Sequence, residues 1–451
     1  MKTTLLRVLA LVMVTSLLLL AAGCGPAETP APAPAEETPV PAPTEEPEPP
    51  APTEEPAPPA ETIQLTFWHY WDGHNGETFD ALAEEYAAAH PNVEIEPLYI
   101  GWSDLLPSLQ TAASGGDVPS FAIADMVWMP KLAESGALVE LDPYIDASGV
   151  DLDDFYSALL NIDRYDGAYL GLPVSTNNLE LFYNKELFAA AGLDPEQPPT
   201  TWEELKTAAE TCADPDNAVV GMELYTEAAN EGLTWQFQVY LWQAGADFLT
   251  DDYTAAAFNS PGGEQALQFW VDLIEGDGSD LVPWGQFEQG NACMRMDGSW
   301  MVGIWANDLT FDFGTAPMPH PADGEPGTNM GGEHIFIFET TPEEQQAAWE
   351  FIEWFTSTEV QSRWDRETGF MPIRDSVAND PDYLAWMQDT EPRLAAFIES
   401  QQYAHARPSV SNYQELSDLF SAEVQRALYG EASIPEALAA AEEAVNAVLA
   451  K

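Results

Sequence analysis

The sequence predicts an α/β protein, because strand-like and helix-like segments alternate along its first third. Apolar and polar residues alternate over 62–67, and apolar residues recur at helical spacing over 77–89. The pattern continues as a strand over 93–100, a helix over 105–113, a strand over 121–124 and a helix over 129–134. This order favours a sheet of mainly parallel strands. Ligands of such sheets bind in the loops after the strands, here 69–76, 101–104 and 125–128.

Residues 202–287 and the final third of the chain are predicted to be mostly helical. Thr201 stands three residues before Glu204, which predicts a helix that begins with a capping box. Strands are expected over 292–296 and 335–338, and helices over 342–355 and 434–449. The body, 62–451, is long enough for two domains or lobes.

The N-terminus has the pattern of a bacterial lipoprotein signal peptide. Lys2 and Arg7 precede an apolar stretch over 8–20, and small residues then lead to Cys24. The stretch is shorter than the roughly 18 to 20 residues that span a bilayer. Removal of residues 1–23 and acylation of Cys24 are therefore favoured over an uncleaved membrane anchor. We expect the protein to be exported and held at the outer face of the cell membrane only through lipid on Cys24.

Residues 24–61 are predicted to form a disordered tether behind that anchor. Between 26 and 60 the chain consists almost entirely of Pro, Ala, Glu and Thr, without an aromatic residue. Such a segment cannot build a core, and its prolines favour an extended backbone.

The charge of the chain excludes nucleic acid as a partner. The sequence has 76 acidic and 14 basic residues, a formal net charge of −62, whereas phosphate binding requires Lys and Arg. The charge indicates a solvated surface that repels other copies, so we expect a monomer. It also suggests a salty or acidic habitat.

Two cysteines in the body, Cys212 and Cys293, leave two outcomes open. An exported protein can form a disulfide, and two buried free thiols are equally ordinary. No close spacing of Cys or His suggests zinc, and we expect neither a metal nor a cofactor.

Six segments spread over the body carry a family resemblance. They are LTFWHYWDG, LFYNKELFAAAGL followed by TWEEL, FEQGNACMRMDGSW, NMGGEHIFIF, TGFMPIRDS and LYGEASIPEALAAA. Together they resemble the family 1 extracellular solute-binding proteins of ABC importers, in the branches that bind sugars and glycerol-3-phosphate. The resemblance implies a binding protein rather than an enzyme, with a small-molecule ligand and the permease subunits of an ABC transporter as partners.

The resemblance also implies a two-lobed, type II periplasmic-binding-protein-like fold with the ligand in a cleft between the lobes. Lobe 1 would comprise 62–172 and 317–371, and lobe 2 would comprise 173–316 and 372–451. Hinge strands would cross between the lobes near 172–176, 316–319 and 370–373.

A sugar site needs flat aromatic rings for the apolar sugar faces and hydrogen-bonding groups for the hydroxyl edges. The aromatic candidates lie in loops after predicted strands or in later segments, and they are Tyr70, Trp71, Trp102, Trp235, Trp242 and Trp300. Core packing is the alternative for each tryptophan. Position in or near a loop favours ligand contact for Trp71, Trp102 and Trp300.

The remaining candidates match ligand-contacting positions of the resembled family. They are Asp125, Asn177, Ser299, Gly331, Gly332, Phe370 and Arg407. Asp125 could equally cap the following helix, and the two glycines could form a simple turn.

A sugar is the favoured ligand, because a phosphoryl group binds best to Lys and Arg side chains, which are few in the body. Glycerol-3-phosphate or a glycerophosphodiester is the alternative ligand. A secreted glycoside hydrolase, which would use two carboxylates, is the alternative from another class. A sensor or adhesion lipoprotein of the same fold is a third possibility.

Overall fold

The computed structural model describes residues 62–228 and 231–451. The predicted signal peptide, Cys24 and the tether lie outside this range. The first part of the described chain contains β1 (Ile63–His69), α1 (Gly73–Ala89), β2 (Val93–Tyr99), α2 (Trp102–Gly115), β3 (Phe121–Asp125), α3 (Met129–Ala133), α4 (Asp142–Ser148), α5 (Ser157–Leu160), β4 (Arg164–Tyr165), β5 (Ala168–Tyr169) and β6 (Gly171–Pro173).

The middle part alternates again. It contains β7 (Leu179–Asn184), α6 (Lys185–Ala190), α7 (Trp202–Cys212), β8 (Val220–Glu223), α8 (Gly232–Gln243), α9 (Pro261–Glu275), β9 (Ala292–Gly298), α10 (Trp300–Asp308) and β10 (Phe313–Ala316).

The last part is mainly helical, as predicted. It contains β11 (Thr328–Met330), β12 (Glu333–Ile337), α11 (Pro342–Phe355), α12 (Thr358–Thr368), α13 (Asp375–Ala378), α14 (Pro381–Asp389), α15 (Ala395–Ser400), β13 (Ala404–Ala406), α16 (Tyr413–Leu428) and α17 (Ile434–Leu449).

A five-stranded sheet in the order β2-β1-β3-β12-β6 organises the first lobe. β1 runs parallel to β2 and β3, whereas β12 is antiparallel to both of its neighbours. Four of the five strands therefore point in the same direction, as predicted, although only two of the four pairings are parallel. Helices α1 and α11 pack on it around a buried core that includes Phe67, Phe79 and Phe351.

A four-stranded sheet in the order β10-β7-β9-β8 organises the second lobe. Only β8 and β9 run parallel in it, and the other pairs are antiparallel. Helices α7, α8, α9, α16 and α17 pack around a core that includes Phe237, Trp270 and Phe420. The predicted capping box at the start of α7 is present, with Thr201 and Glu204 bonded reciprocally.

The chain crosses between the two sheets three times. The first crossing joins β6 to β7. The second falls at Gly331 and Gly332, later than the predicted 316–319, because the segment before it stays with the second lobe: β11 pairs with β13, and His320 bonds to Trp202. The third begins at Met371, which donates to Thr176 of the first crossing, while Ile373 and Arg374 still pair with Tyr156 and Phe155 of the first lobe.

Two helices begin earlier than predicted. α1 starts at Gly73 and not at 77, and α2 starts at Trp102 and not at 105. Apolar spacing marks only the apolar face of a helix, and the first turns carry little of it: 73–76 is Gly-His-Asn-Gly, and 102–104 has one apolar side chain, Trp102. The loops expected after β1 and β2 are correspondingly short.

A disulfide joins Cys212, at the end of α7, to Cys293 in β9, with Cα atoms 6.3 Å apart. Both cysteines belong to the second lobe and are buried. Of the two outcomes left open by the sequence, the structure has the bridge.

Replacing both cysteines by serine should lower the free energy of unfolding by about 4 kcal/mol, because the bridge closes a loop of 81 residues. Denaturant titration followed by tryptophan fluorescence measures this. Reduced wild-type protein should match the double variant. Equal stability of the oxidised and reduced wild type would contradict the prediction.

Candidate functional site

A cavity of about 680 Å³ lies where the two lobes face each other. The first lobe contributes Tyr70 and Asp125, which lie at the carboxyl ends of β1 and β3. The second lobe contributes Trp235 from α8 and Trp300 from α10. The volume is within the range of roughly 300 to 1,000 Å³ that is usual for small-molecule sites.

Most of the residues singled out from the sequence line this cavity. They come from nine separate parts of the chain and are Tyr70, Trp71, Trp102, Asp125, Asn177, Trp235, Trp300, Gly332, Phe370 and Arg407.

Trp300 and Trp235 form an aromatic platform on one wall. Their rings are nearly parallel, at 9°, with centroids 5.4 Å apart, and Phe370 lies 6.4 Å beyond Trp300. The Trp300 ring lies directly against Gly298, where a Cβ atom would come within 1.7 Å of it. Glycine at 298 therefore allows the indole to lie flat over the end of β9.

Three of the residues singled out do not line the cavity. Trp242 stacks on His405 at 4.9 Å and donates from Nε1 to Asp247, so it packs within the second lobe. Ser299 is fully buried. Gly331 exchanges backbone hydrogen bonds with Asn177, so its N–H group is already used in joining two crossings.

Trp71 is mainly a core residue. Only 3% of it is exposed, and its ring lies 4.6 Å from that of Trp364 in the first lobe. Core packing, the alternative weighed for each tryptophan, accounts for most of its surface.

Arg407 joins the two lobes through a buried ion-pair network. Its guanidinium donates to Asp125 of the first lobe at 2.7 Å and to Glu231 of the second lobe at 2.7 Å. Tyr413 also donates to Glu231, at 2.6 Å. Asp125 also accepts a hydrogen bond from the backbone N–H of Val127. It therefore caps the turn after β3, which was the alternative role considered for it.

A second ion-pair network, around Arg295, was not identified from the sequence. Its guanidinium contacts Asp297 at 2.5 Å and Glu288 at 2.6 Å, and it lies 3.6 Å from the centroid of the Trp284 ring. Burial raises the pKa of Asp297 to about 6, against the opposing effect of Arg295. Arg and Asp two residues apart in the otherwise apolar ACMRMDG segment, hence on one face of a strand, were the available signal.

Glu333, which follows the paired glycines, was also missed. It is buried, accepts hydrogen bonds from Ser175 and from Tyr70, the latter at 3.2 Å, and lines the cavity. Burial raises its pKa to about 7; the Asp125 carboxylate adds to the rise, and the hydrogen bonds from Ser175 and Tyr70 oppose it.

Several buried polar atoms on the lining have no hydrogen-bond partner in the part of the chain that the structure describes. They include the side-chain oxygens of Asn75 and Asn177, the indole N–H groups of Trp71, Trp235 and Trp305, and the Nε groups of Arg295 and Arg407. Unsatisfied buried polar groups are costly, so they fit a ligand that both donates and accepts hydrogen bonds.

The raised pKa of Glu333 predicts a pH-dependent stability. The folded state favours the protonated carboxyl, so this stabilisation is complete below the ordinary pKa of 4.5 and is lost as the pH rises through about 7. Its size is about 3 kcal/mol. Glu333→Gln should reduce the loss of unfolding free energy between about pH 5 and about pH 8, measured by denaturant titration.

Glu343→Gln, at an exposed position of α11, is the matched control. It should keep the pH dependence of the wild type. The same dependence in both variants would show that Glu333 does not titrate in this range.

Among residues 62–228 and 231–451, no helix combines the length and apolarity needed to cross a membrane.

Over 362 residues the chain is 28% identical to the maltotriose-binding protein of Pyrococcus abyssi; the alignment covers 76% of this chain and 73% of the relative. It is 25% identical over 331 residues to the sn-glycerol-3-phosphate-binding periplasmic protein of Yersinia pestis, covering 69% and 74%.

Among solved structures, the cyclic alpha-maltosyl-1,6-maltose binding protein from Arthrobacter globiformis is 48% identical, with a TM-score of 0.75 over 86% of this chain and 99% of that one. This similarity confirms the predicted two-lobed, type II fold. The family model described as bacterial extracellular solute-binding protein matches residues 70–362. The chain therefore belongs to the family of bacterial extracellular solute-binding proteins.

Proposed function

We propose that the protein binds a sugar in the cleft between its lobes and delivers it to the permease of an ABC importer. The ligand is an oligosaccharide of α-linked glucose units. The sugar is released without any chemical change, so the protein acts as a binding protein and not as an enzyme. Acylated Cys24 holds it at the outer face of the membrane, and its acidic surface keeps it monomeric.

One observation carries the choice of a neutral ligand. The terminal nitrogens of both guanidinium groups on the cavity lining, Arg295 and Arg407, are already paired with carboxylates, and only their Nε groups lack a partner in the described chain. Asparagine oxygens and indole N–H groups beside them are not hydrogen-bonded. A phosphate would have to displace these carboxylates. A hydroxyl-rich ligand can instead satisfy the amide oxygens and indole N–H groups directly.

The aromatic platform supports a pyranose in particular. The apolar face of a sugar ring matches the exposed part of Trp300, and its hydroxyl edge then faces polar side chains such as Asn177. The names of the maltotriose-binding and cyclic maltosyl-maltose binding relatives support α-glucosyl units.

The first test compares ligands. Linear and cyclic α-glucans should raise the melting temperature, because a ligand that binds only the folded state stabilises it. Glycerol-3-phosphate and glycerophosphodiesters should have no effect. Stabilisation by the phosphate compounds alone would reject the sugar, and release of shorter sugars at catalytic amounts of protein would reject a binding function.

The second test concerns the platform. Trp300→Ala should weaken sugar binding at least about tenfold, measured by calorimetry, because the sugar loses its stacking surface. Trp386→Ala is the control, since Trp386 lies in α14 outside the cavity. Unchanged affinity in a folded Trp300→Ala protein would remove the platform from the site.

A further inference from the structure

Arg407 places a positive charge beside the aromatic platform. Its side chain is buried, and within the described chain it is one of two cationic residues that line the cavity. Its guanidinium lies 5.2 Å from the centroid of the Trp235 ring, and Trp235 in turn stacks on Trp300. A ligand on the platform therefore lies close to this guanidinium. The partners of Arg407 then affect which ligands the cleft can hold.

Two carboxylates pair with the guanidinium of Arg407. Both oxygens of Glu231 accept from Nη1, each at 2.7 Å, and Asp125 accepts from Nη2 at 2.7 Å. Two ionised acids and one cation give the group an excess of negative charge. Because the protein interior has a low dielectric constant, this excess disfavours a further anion at Arg407 more strongly than it would in water. A neutral hydroxyl group does not meet this repulsion.

Glu231 does not itself line the cavity, although Arg407 does. It directly precedes α8, and its carboxylate also accepts a hydrogen bond from Tyr413 at 2.6 Å. The Tyr413 hydroxyl is held in turn by the amide of Gln238, at 2.9 Å. Asp125, in contrast, lines the cavity and caps the turn after β3. Glu231 therefore acts on a ligand through Arg407 and not by direct contact.

We propose that Glu231 is a specificity-determining residue that excludes anionic ligands from the cleft. Its carboxylate occupies Nη1 of Arg407 and offsets the positive charge, so the guanidinium does not bind a phosphoryl or carboxylate group of a ligand. This inference rests on the proposed sugar-binding function. Without the charge of Glu231, Nη1 would have no anionic partner, and Nε already lacks a hydrogen-bond partner among the described residues. Asp125 would remain on Nη2 alone.

Calorimetry at pH 8 with α-glucose-1-phosphate and with inorganic phosphate tests the proposal. Burial raises the pKa of Glu231 to about 7, against the opposing effect of Arg407, so Glu231 is mostly ionised at pH 8. Glu231→Gln should raise the affinity for both phosphates at least about tenfold over that of the wild type. Glu231→Asp keeps the charge and should bind them no better than the wild type. Adding Arg407→Gln to Glu231→Gln should abolish the gain, because the guanidinium supplies it.

Glu391→Gln is the matched control. It makes the same substitution in a carboxylate that pairs with Arg393, at 2.5 Å, and neither residue lines the cavity. Its phosphate affinity should equal that of the wild type, because losing one negative charge elsewhere does not expose Arg407.

Asp125→Asn removes the other acid from Arg407 and serves as the second variant if Glu231→Gln does not fold. It should also raise phosphate affinity. Unchanged phosphate affinity in the folded variants, or an equal gain in Glu391→Gln, would reject the role of Glu231 alone. Failure of the wild type to bind any α-glucan would reject the sugar function, whereas the phosphate measurements judge Glu231 independently.

Discussion

The cleft depends on backbone hydrogen bonds between the segments that cross from lobe to lobe. Asn177 and Gly331 exchange two such bonds, of 3.1 and 2.9 Å, and Met371 donates to Thr176 at 2.9 Å. The three crossings are therefore bonded side by side. A Cβ atom at Gly331 would lie 2.2 Å from Asn177 Oδ1, and one at Gly332 would lie 2.4 Å from the Ser175 carbonyl. Only glycines allow this approach, and the approach brings Asn177 and Glu333 to the floor of the cavity.

The two arginines that line the cleft form ion pairs with neighbouring carboxylates and are not left unpaired for a ligand. Arg407 ties the end of β3 to the start of α8 through Asp125 and Glu231, and Arg295 lies among carboxylates of its own lobe. Breaking such a buried pair leaves an uncompensated charge, so these groups hold the walls in position. Under the proposed function, binding is left to aromatic faces and to neutral amide and indole groups.

The sequence predicted local features well and spatial neighbours poorly. Capping chemistry and apolar spacing placed α7, α11 and α17 correctly, because these signals act within a few residues. Trp235 and Trp242 lie on the same helix, yet only Trp235 lines the cavity; nothing local distinguishes the two indoles. The contact of Arg407 with Asp125 spans 282 residues; the strand pattern marked the loop of Asp125, but only the family resemblance pointed to Arg407. Arg295 and Glu333 lie in segments whose composition predicts buried strands, so neither was identified as a site residue.

The paired guanidinium groups also affect how a solute reaches the cleft. Since neither arginine projects an unbalanced positive charge, the field at the mouth is that of the acidic surface, including the exposed carboxylates of Asp72 and Asp308. Such a field slows the approach of anions and leaves the encounter rate of uncharged molecules to diffusion. Rejection of anionic metabolites thus begins in solution, before any contact, and weakens as ionic strength rises.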